Sequence, residues 1–415
     1  MPDTWQVAEN DVVYCRMREE QKLNCDRERL IGAARRVVIK LGTSTVTGPD
    51  GALSAARIEP IASSIAILMK NGRQVVLVSS GAVGLGAGWL GLHRSRLTDM
   101  VTKQACAAVG QSLLMNAYKN MFSASDIKIA QVLLTEDDFS DWRRYANLRQ
   151  TMEKLLGFGV LPIVNENDTV STAELETITP GRKAAFSDND RLAALVMSGL
   201  EAELLILLSN VDGFLHHESR ASAGHPSNAD KVHVIPYIKE ITAGLKASAA
   251  GPSGSGRGGM QTKLEAAEIA MMCGGSAVIA NGHDPHALKR IFAGDQVGTF
   301  FLPANRMRGK RRWIAFAANV RGRIVVDAGA ERAITQGKAS LLASGVLRIE
   351  SHFAPMDVIN IIDGHGREFA RGIANCSSNE AEKFIEDRKS RDRHGSLPKS
   401  RVLVTRDNIV LLQKS

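Results

Sequence analysis

The residues best suited to chemistry sit in loops that follow short apolar runs. Lys40 closes the run Val37-Val-Ile-Lys, and Gly42, Thr43 and Ser44 come directly after it. Val37, Val38 and Ile39 are β-branched and apolar, as in a buried parallel strand. Gly42 permits a sharp turn, and the Thr43 and Ser44 hydroxyls stand beside freed backbone N–H groups. A lysine with a glycine-hydroxyl turn at a strand end suits an anion, above all a phosphoryl group, because open α/β sheets bind ligands at that edge. On its own the motif fits equally well a strand-end lysine that reaches solvent.

Four further loops carry related groups. Ser79-Ser-Gly-Ala-Val-Gly84 places hydroxyls and glycine N–H groups ahead of a helix, which attracts carboxylate or phosphate; it also reads as a tight turn with capping serines. Asn165-Glu-Asn-Asp168 is dense in carboxylate and carboxamide and suits an amino group and other polar substrate ends. Ser187-Asp-Asn-Asp190 sets two acids around an amide, fit for Mg²⁺ or for orienting a catalytic lysine. Both acidic loops read also as Asx turns or helix caps. Ser253-Gly-Ser-Gly-Arg-Gly-Gly-Met-Gln-Thr-Lys263 brings two cations, Arg257 and Lys263, beside flexible backbone amides and suits a polyphosphate. Gly86-x-Gly88-x-x-Gly91 and Gly254-x-Gly256-x-x-Gly259 satisfy the dinucleotide spacing, but neither follows a strand with an acid at the right distance beyond. GxxxxGK[ST], HExxH and GxSxG are absent.

The elements that must hold these loops alternate. Strands are expected at Val37–Ile39, Val75–Val78, Ile129–Leu134, Val160–Val164, Leu204–Leu208 and Ala277–Ala280. Helices are expected at Arg57–Lys70, Leu113–Phe122, Tyr145–Leu156, Asp190–Ser198 and Thr262–Met272. That order predicts an α/β fold, a three-layer αβα sandwich around a mainly parallel sheet. The pattern changes at the basic run Arg306–Arg312. Beyond it, short runs at Arg323–Asp327, Val346–Glu350, Val358–Ile362, Glu368–Ile373 and Arg401–Val404 predict a small β-rich domain. The expected division is a loosely packed N-terminal extension over 1–35, a first domain over 36–304, a basic linker over 305–319 and a second domain over 320–415.

The chain has 415 residues, 44% hydrophobic and 23% charged, an ordinary globular composition. No apolar run approaches the roughly 18 residues of a membrane span, and residues 1–35 lack a secretory apolar core. Five scattered cysteines (Cys15, Cys25, Cys106, Cys273, Cys376) without CxxC spacing fit reduced thiols and a cytoplasmic setting. The net charge of +8 is concentrated in Arg306–Arg312 and Lys383–Arg393, runs that solvated linkers and helix faces explain as readily as nucleic acid does.

Val38-Ile-Lys-Leu-Gly-Thr-Ser44, Val78-Ser-Ser-Gly-Ala82, Asn165-Glu-Asn-Asp168, Ser187-Asp-Asn-Asp190 and Gly258-Gly-Met-Gln-Thr-Lys263 resemble, in order and spacing, the signature loops of the glutamate 5-kinases within the amino acid kinase family. The tail, through Val326-Asp-Ala-Gly-Ala330, Gly337-Lys-Ala-Ser-Leu-Leu342 and Arg371-Gly-Ile373, resembles the barrel-like PUA domain that many of them carry. The resemblance implies transfer of the ATP γ-phosphoryl group to the side-chain carboxylate of L-glutamate at the entry to proline biosynthesis. It implies Lys40, Lys263 and Asp190 as catalytic residues, with Asp190 orienting the lysines or meeting Mg²⁺. Ser80, Gly81, Ala82, Asp168 and Asn189 would bind glutamate. Lys40, Ser209, Asn210, Arg257, Gly258, Gly259, Met260, Gln261, Thr262 and Lys263 would hold the nucleotide. It further implies a homo-oligomer (dimer or tetramer), proline as a feedback inhibitor and glutamyl phosphate reductase downstream. Asn210 stands where the family usually has Asp, Arg257 where it has a small hydroxyl and Ser187 where it has Gly, while Thr179–Lys183 reads as an insertion. Two other readings stay open: another acceptor (carbamate, aspartate or a nucleoside monophosphate) on the same fold, and RNA binding or regulation through the tail.

Overall fold

The computed structural model describes residues 21–48, 52–93, 97–170, 189–217, 232–249, 259–304, 307, 309–317, 320–337, 339–392 and 401–412. It divides into two compact units, residues 1–136 with 148–306, and residues 137–147 with 307–415.

In the first unit, helix α1 (21–33) leads into β1 (Arg36–Leu41), the one-turn α2 (Thr43–Val46), α3 (Ala55–Lys70), β2 (Gln74–Ser79), α4 (Ala82–Trp89), α5 (Met100–Ser123) and β3 (Ile129–Leu134). Most of α6 (Glu136–Ser140) and the start of α7 (Trp142–Gly157) fall in the second unit's residues 137–147; the rest of α7, β4 (Leu161–Glu166), α8 (Asn189–Leu200) and β5 (Leu204–Ser209) follow in the first. The unit ends with the ribbon β6–β7 (Leu215–His217 and Val232–Val234), β8 (Tyr237–Ile238), α9 (Ala243–Ala249), α10 (Met260–Met272), β9 (Ser276–Asn281), α11 (Ala287–Ala293) and β10 (Thr299–Phe301). Eight strands form one sheet in the order β3-β4-β2-β1-β5-β9-β10-β8, parallel from β3 through β9, with β10 antiparallel to β9. β1 lies centrally and is buried on both faces, which is why its sequence is an unbroken β-branched run rather than an alternation. Its parity still matters. Val37, Ile39 and Leu41 join the core with Ile58, Ile61 and Ile65 of α3, Leu114, Tyr118 and Phe122 of α5, and Leu288 and Ile291 of α11. Val38 and Lys40 therefore face the opposite layer, where α8 packs on β1 and α10 on β9.

The N-terminal expectation needs correction: residues 21–33 are helical, not loosely packed. Ile31 joins the core, and Arg27 is buried, its guanidinium donating to the Val297 carbonyl at 3.1 Å. α5 starts thirteen residues before the expected Leu113, for a reason that bears on the site below.

The second unit holds a five-stranded sheet, β13-β11-β14-β15-β17, built from β11 (Val320–Val326), β13 (Val346–Ser351), β14 (Val358–Ile362), β15 (Glu368–Ile373) and β17 (Ile409–Leu411). β12 (Leu341–Leu342) pairs separately with β16 (Val402–Val404). Two helices absent from the sequence reading, α13 (Ala328–Gly337) and α14 (Ser378–Asp392), close this unit's core through Ile334, Ala381 and Ile385. The basic run expected as a linker is not one over 310–317: α12 (Lys310–Arg312) and the turn over Trp313–Ala317 bury Arg312, Trp313, Ile314 and Ala315. The Trp313 indole N–H donates to the Phe139 carbonyl at 2.8 Å and its ring meets Trp142 edge-on at 5.3 Å.

Candidate active site

Three elements bring the expected catalytic residues together at the carboxyl edge of the sheet. β1 delivers Lys40 by the parity just described, α8 delivers Asp190 from its first turn, and α10 delivers Lys263 from its first turn. The Lys40 ammonium lies 2.6 Å from Asp190 Oδ1, and the Lys263 ammonium donates to Oδ2 at 3.0 Å. The Thr262 hydroxyl is 3.3 Å from the same Oδ2 and also donates to the Gly259 carbonyl at 3.0 Å, tying the loop before α10 to the triad. All three charged groups are buried: Asp190 is 0% exposed and each lysine 4%. One carboxylate shared by two ammonium groups leaves one net positive charge away from solvent. That is what a polyphosphate binding between them requires, and what an apolar core would otherwise reject.

The sharing fits the first of the two roles open to Asp190, orienting the lysines: each carboxylate oxygen faces one ammonium group. No cluster of three or more His, Cys, Asp or Glu suited to a metal occurs among the described residues.

A second, uncharged group of side chains adjoins the first. Asn189, next to Asp190, donates from Nδ2 to Ser80 Oγ at 2.7 Å and to Asn165 Oδ1 at 3.0 Å, and Asn165 Nδ2 donates to Gln111 Oε1 at 3.0 Å. Ser80 sits between β2 and α4, where its N–H donates to the Leu41 carbonyl at 3.2 Å. Gly81 takes φ +110° so that the chain can turn into α4; the fold needs glycine there. Ala82 opens the helix and is buried. The preceding Ser79 hydroxyl pairs with the Tyr118 phenol at 2.7 Å, and burial pushes that phenol well above its usual pKa.

The frame under these loops is the crossing of α4 on α5. A Cβ on Gly86 would fall 1.8 Å from the Cys106 carbonyl oxygen, and one on Gly110 would fall 1.8 Å from that of Ala82. The dinucleotide-like spacing around Gly86 is thus a close helix approach. It holds α5, and with it Gln111, against the Ser80 loop.

Of the remaining expected residues, Asp168 is half-buried in the turn after β4. Ser209 ends β5, is buried, and donates to Asn210 Oδ1 at 3.3 Å, while Asn210 is exposed. Gly259 precedes α10; Met260 and Gln261 open it, with Gln261 turned toward Glu265 at 3.3 Å. Arg257, Gly258, Ser187 and Thr179–Lys183 lie outside the described residues. Sequence reasoning missed Gln111. Its one signal was a lone amide in the small-residue stretch Cys106-Ala-Ala-Val-Gly-Gln111.

The profile of the amino acid kinase family matches residues 35–281, the span that holds β1, α8, α10 and every residue of the site. The chain belongs to the amino acid kinase family. The PUA domain profile matches residues 322–395, so this amino acid kinase carries a PUA domain with its own sheet. It is 40% identical over 390 residues to the glutamate 5-kinase of Citrifermentans bemidjiense, covering 93% of this chain and 100% of that protein. It is 42% identical over 357 residues to the glutamate 5-kinase of Myxococcus xanthus, covering 86% and 90% respectively. A solved UMP kinase from Bacillus anthracis overlays with a TM-score of 0.42 at 15% identity, covering 66% of this chain and 97% of that one. No helix among the described residues is long and apolar enough to cross a membrane.

Proposed function

We propose that this amino acid kinase uses ATP to phosphorylate the side-chain carboxylate of L-glutamate, giving L-glutamyl 5-phosphate, the first step of proline biosynthesis. The observation that carries the reading is that Asn189 and Asp190 are consecutive: one joins the amide and hydroxyl group that suits an amino acid, the other anchors the two lysines that suit phosphates. The acceptor half and the donor half are therefore one residue apart.

The chemistry asks for little else. A carboxylate with a pKa near 4.3 is already ionised at neutral pH, so no general base is needed. What must be overcome is the approach of two anions in line and the charge gathering on the transferred group. Lys40 and Lys263 neutralise that charge, and Asp190 fixes where their ammonium groups stand. Mg²⁺ would accompany the ATP phosphates, whose oxygens suit it. Ser80, Gly81, Ala82, Asp168 and Asn189 hold glutamate. Ser209, Asn210 and the loop from Arg257 to Lys263 hold the nucleotide. The rest of the reading is a cytoplasmic homo-oligomer, inhibited by proline and feeding glutamyl phosphate reductase.

The alternative reading, RNA binding through the tail, meets four guanidiniums that are already paired. Arg323 and Arg348 both pair with Glu350, Arg367 with Asp363 and Glu331, and Arg371 with Glu368, which leaves these guanidiniums poorly placed for a phosphate backbone.

The test is acyl-phosphate formation trapped by hydroxylamine, with L-glutamate beside L-aspartate, N-acetylglutamate, carbamate and UMP, for wild type and Lys40→Ala. A glutamate signal that Lys40→Ala lowers on the order of 10²–10³-fold, by analogy with a lost oxyanion-hole donor, is expected. Turnover of another acceptor instead would overturn the substrate and keep the kinase.

A further inference from the structure

The amide chain behind Ser80 has a direction. Gln111 Oε1 accepts from Asn165 Nδ2, Asn165 Oδ1 accepts from Asn189 Nδ2, and Asn189 Nδ2 spends its second proton on Ser80 Oγ. Two consequences follow at the site. Ser80 accepts, so its own O–H proton is free to be donated elsewhere. Asn189 is left with Oδ1, a buried acceptor that has no partner among the described residues. Were every amide turned over, Asn189 would present Oδ1 to Ser80 and Asn165, take up the Ser80 proton and aim its N–H donors outward. An α-ammonium group would meet donors where it needs an acceptor.

The chain of amides ends at Gln111. Gln111 is 8% exposed, sits on α5 at the glycine crossing, and gives Asn165 Nδ2 its acceptor. Its own Nε2 has no partner among the described residues, so among them the side-chain amide serves Asn165 only, with its carbonyl oxygen toward it. We infer that Gln111 is a positioning residue for the acceptor substrate: through Asn165 it holds Asn189 with the carbonyl oxygen outward and Ser80 as a donor, selecting an acceptor that bears an α-ammonium group. The inference rests on the reading of Ser80 and Asn189 as the acceptor side of the site. It adds a residue that does not touch the substrate.

The side chain can be varied by hydrogen-bonding type. Gln111→Met keeps length and loses the acceptor; Gln111→Glu keeps an acceptor toward Asn165 and loses the idle Nε2. Steady-state kinetics with glutamate and ATP varied separately, alongside thermal melts, are the measurement. Gln111→Met is expected to raise KM for glutamate about 10-fold, the equivalent of one buried hydrogen bond. The KM for ATP should stay within about 2-fold and kcat within about 3-fold, and Gln111→Glu should return KM for glutamate to within about 3-fold of wild type. A structural role alone would lower the melting point and move both KM values or kcat together, and Gln111→Glu would not restore it; that pattern, or an unchanged KM for glutamate in Gln111→Met, overturns the inference. Should Gln111→Met not fold, Gln111→Ser, which also cannot reach Asn165, reads the same KM. Ser80→Ala and Asn189→Ala are run beside it. If these leave KM for glutamate unmoved, the acceptor-side reading has failed. If they raise it while Gln111→Met does not, only the role of Gln111 has failed.

Discussion

Replacing Asp190 by asparagine keeps the shape of the side chain and removes the single negative charge that two buried ammonium groups share. In wild type the triad carries one net positive charge; in Asp190→Asn it carries two, and one of the amide positions turns a donor toward a cation. Breaking a buried pair by removing one partner costs about 3–5 kcal/mol. The repulsion released is of the same size: for two ammonium groups that bind opposite oxygens of one carboxylate, a separation of about 4–6 Å and an effective dielectric of about 20 give about 3–4 kcal/mol. For a unit of this size that corresponds to a melting-point fall of about 5–8 °C, and the loss of fixed lysines should cut kcat on the order of 10²–10³-fold. The decisive measurement is a double-mutant cycle with Lys40→Met. Lys40→Met alone leaves Asp190 and Lys263 as a neutral pair, so it should destabilise less than Asp190→Asn. The double variant leaves only one buried cation, so it should be more stable than the sum of the single changes predicts, by about 3 kcal/mol. Additive single effects, or an Asp190→Asn enzyme that melts with wild type, would refute the claim that Asp190 is there to hold two cations.

Two more outcomes follow from the frame. Gly86→Ala puts a methyl group where the Cys106 carbonyl oxygen already is, with backbone on both sides and no flexible side chain to yield. It should cost about 3 kcal/mol, the upper part of the overpacking range, and raise KM for glutamate as α4 and α5 separate, read by thermal melts and initial rates. Tyr118 is kept neutral in the folded state by burial, so its folded pKa lies above the unfolded value near 10. Its contribution is therefore full below pH 10 and is lost as pH rises beyond it, at up to about 1.4 kcal/mol per pH unit. Melts taken from pH 9 to 11 should show a steeper decline for wild type than for Tyr118→Phe.

The kinase sheet was legible because its central strands are buried on both faces. Val37–Ile39, Val75–Val78 and Leu204–Leu208 read as strands from apolar, β-branched content alone, and the structure extends each by a residue or more. Helices that pack by bulk were legible too, as with Ile58, Ile61 and Ile65 on α3. Helices that pack by closeness were not. The first half of α5 is small residues whose contact with α4 depends on having no side chain at Gly86 and Gly110, and that leaves no apolar stripe to count. α14 failed for a related reason: most of its residues are charged, and among its described side chains the buried apolar ones are Ala381 and Ile385. In α1 a buried arginine stands where an apolar residue would have announced the helix.

The site divides along the same line. Lysine at a strand end and glycine in a turn drew attention to Lys40, Lys263 and the Gly81 loop, although each also fitted a plain structural reading and its role came from the resemblance. Asp190 could not be resolved between metal and lysine, because the answer lies in which cations reach each oxygen, and those come from β1 and α10, far away in the chain. The amides are less legible still. Asparagine and glutamine each offer a donor and an acceptor, and their letters do not say which faces the substrate. That choice depends on the groups behind them, and here the amide chain ends on Gln111, a residue on a helix whose position rests on two missing side chains. On the proposed role of Gln111, acceptor recognition depends partly on how closely α4 and α5 approach, and a change at Gly86 or Gly110 should alter glutamate recognition without replacing any substrate-contacting side chain.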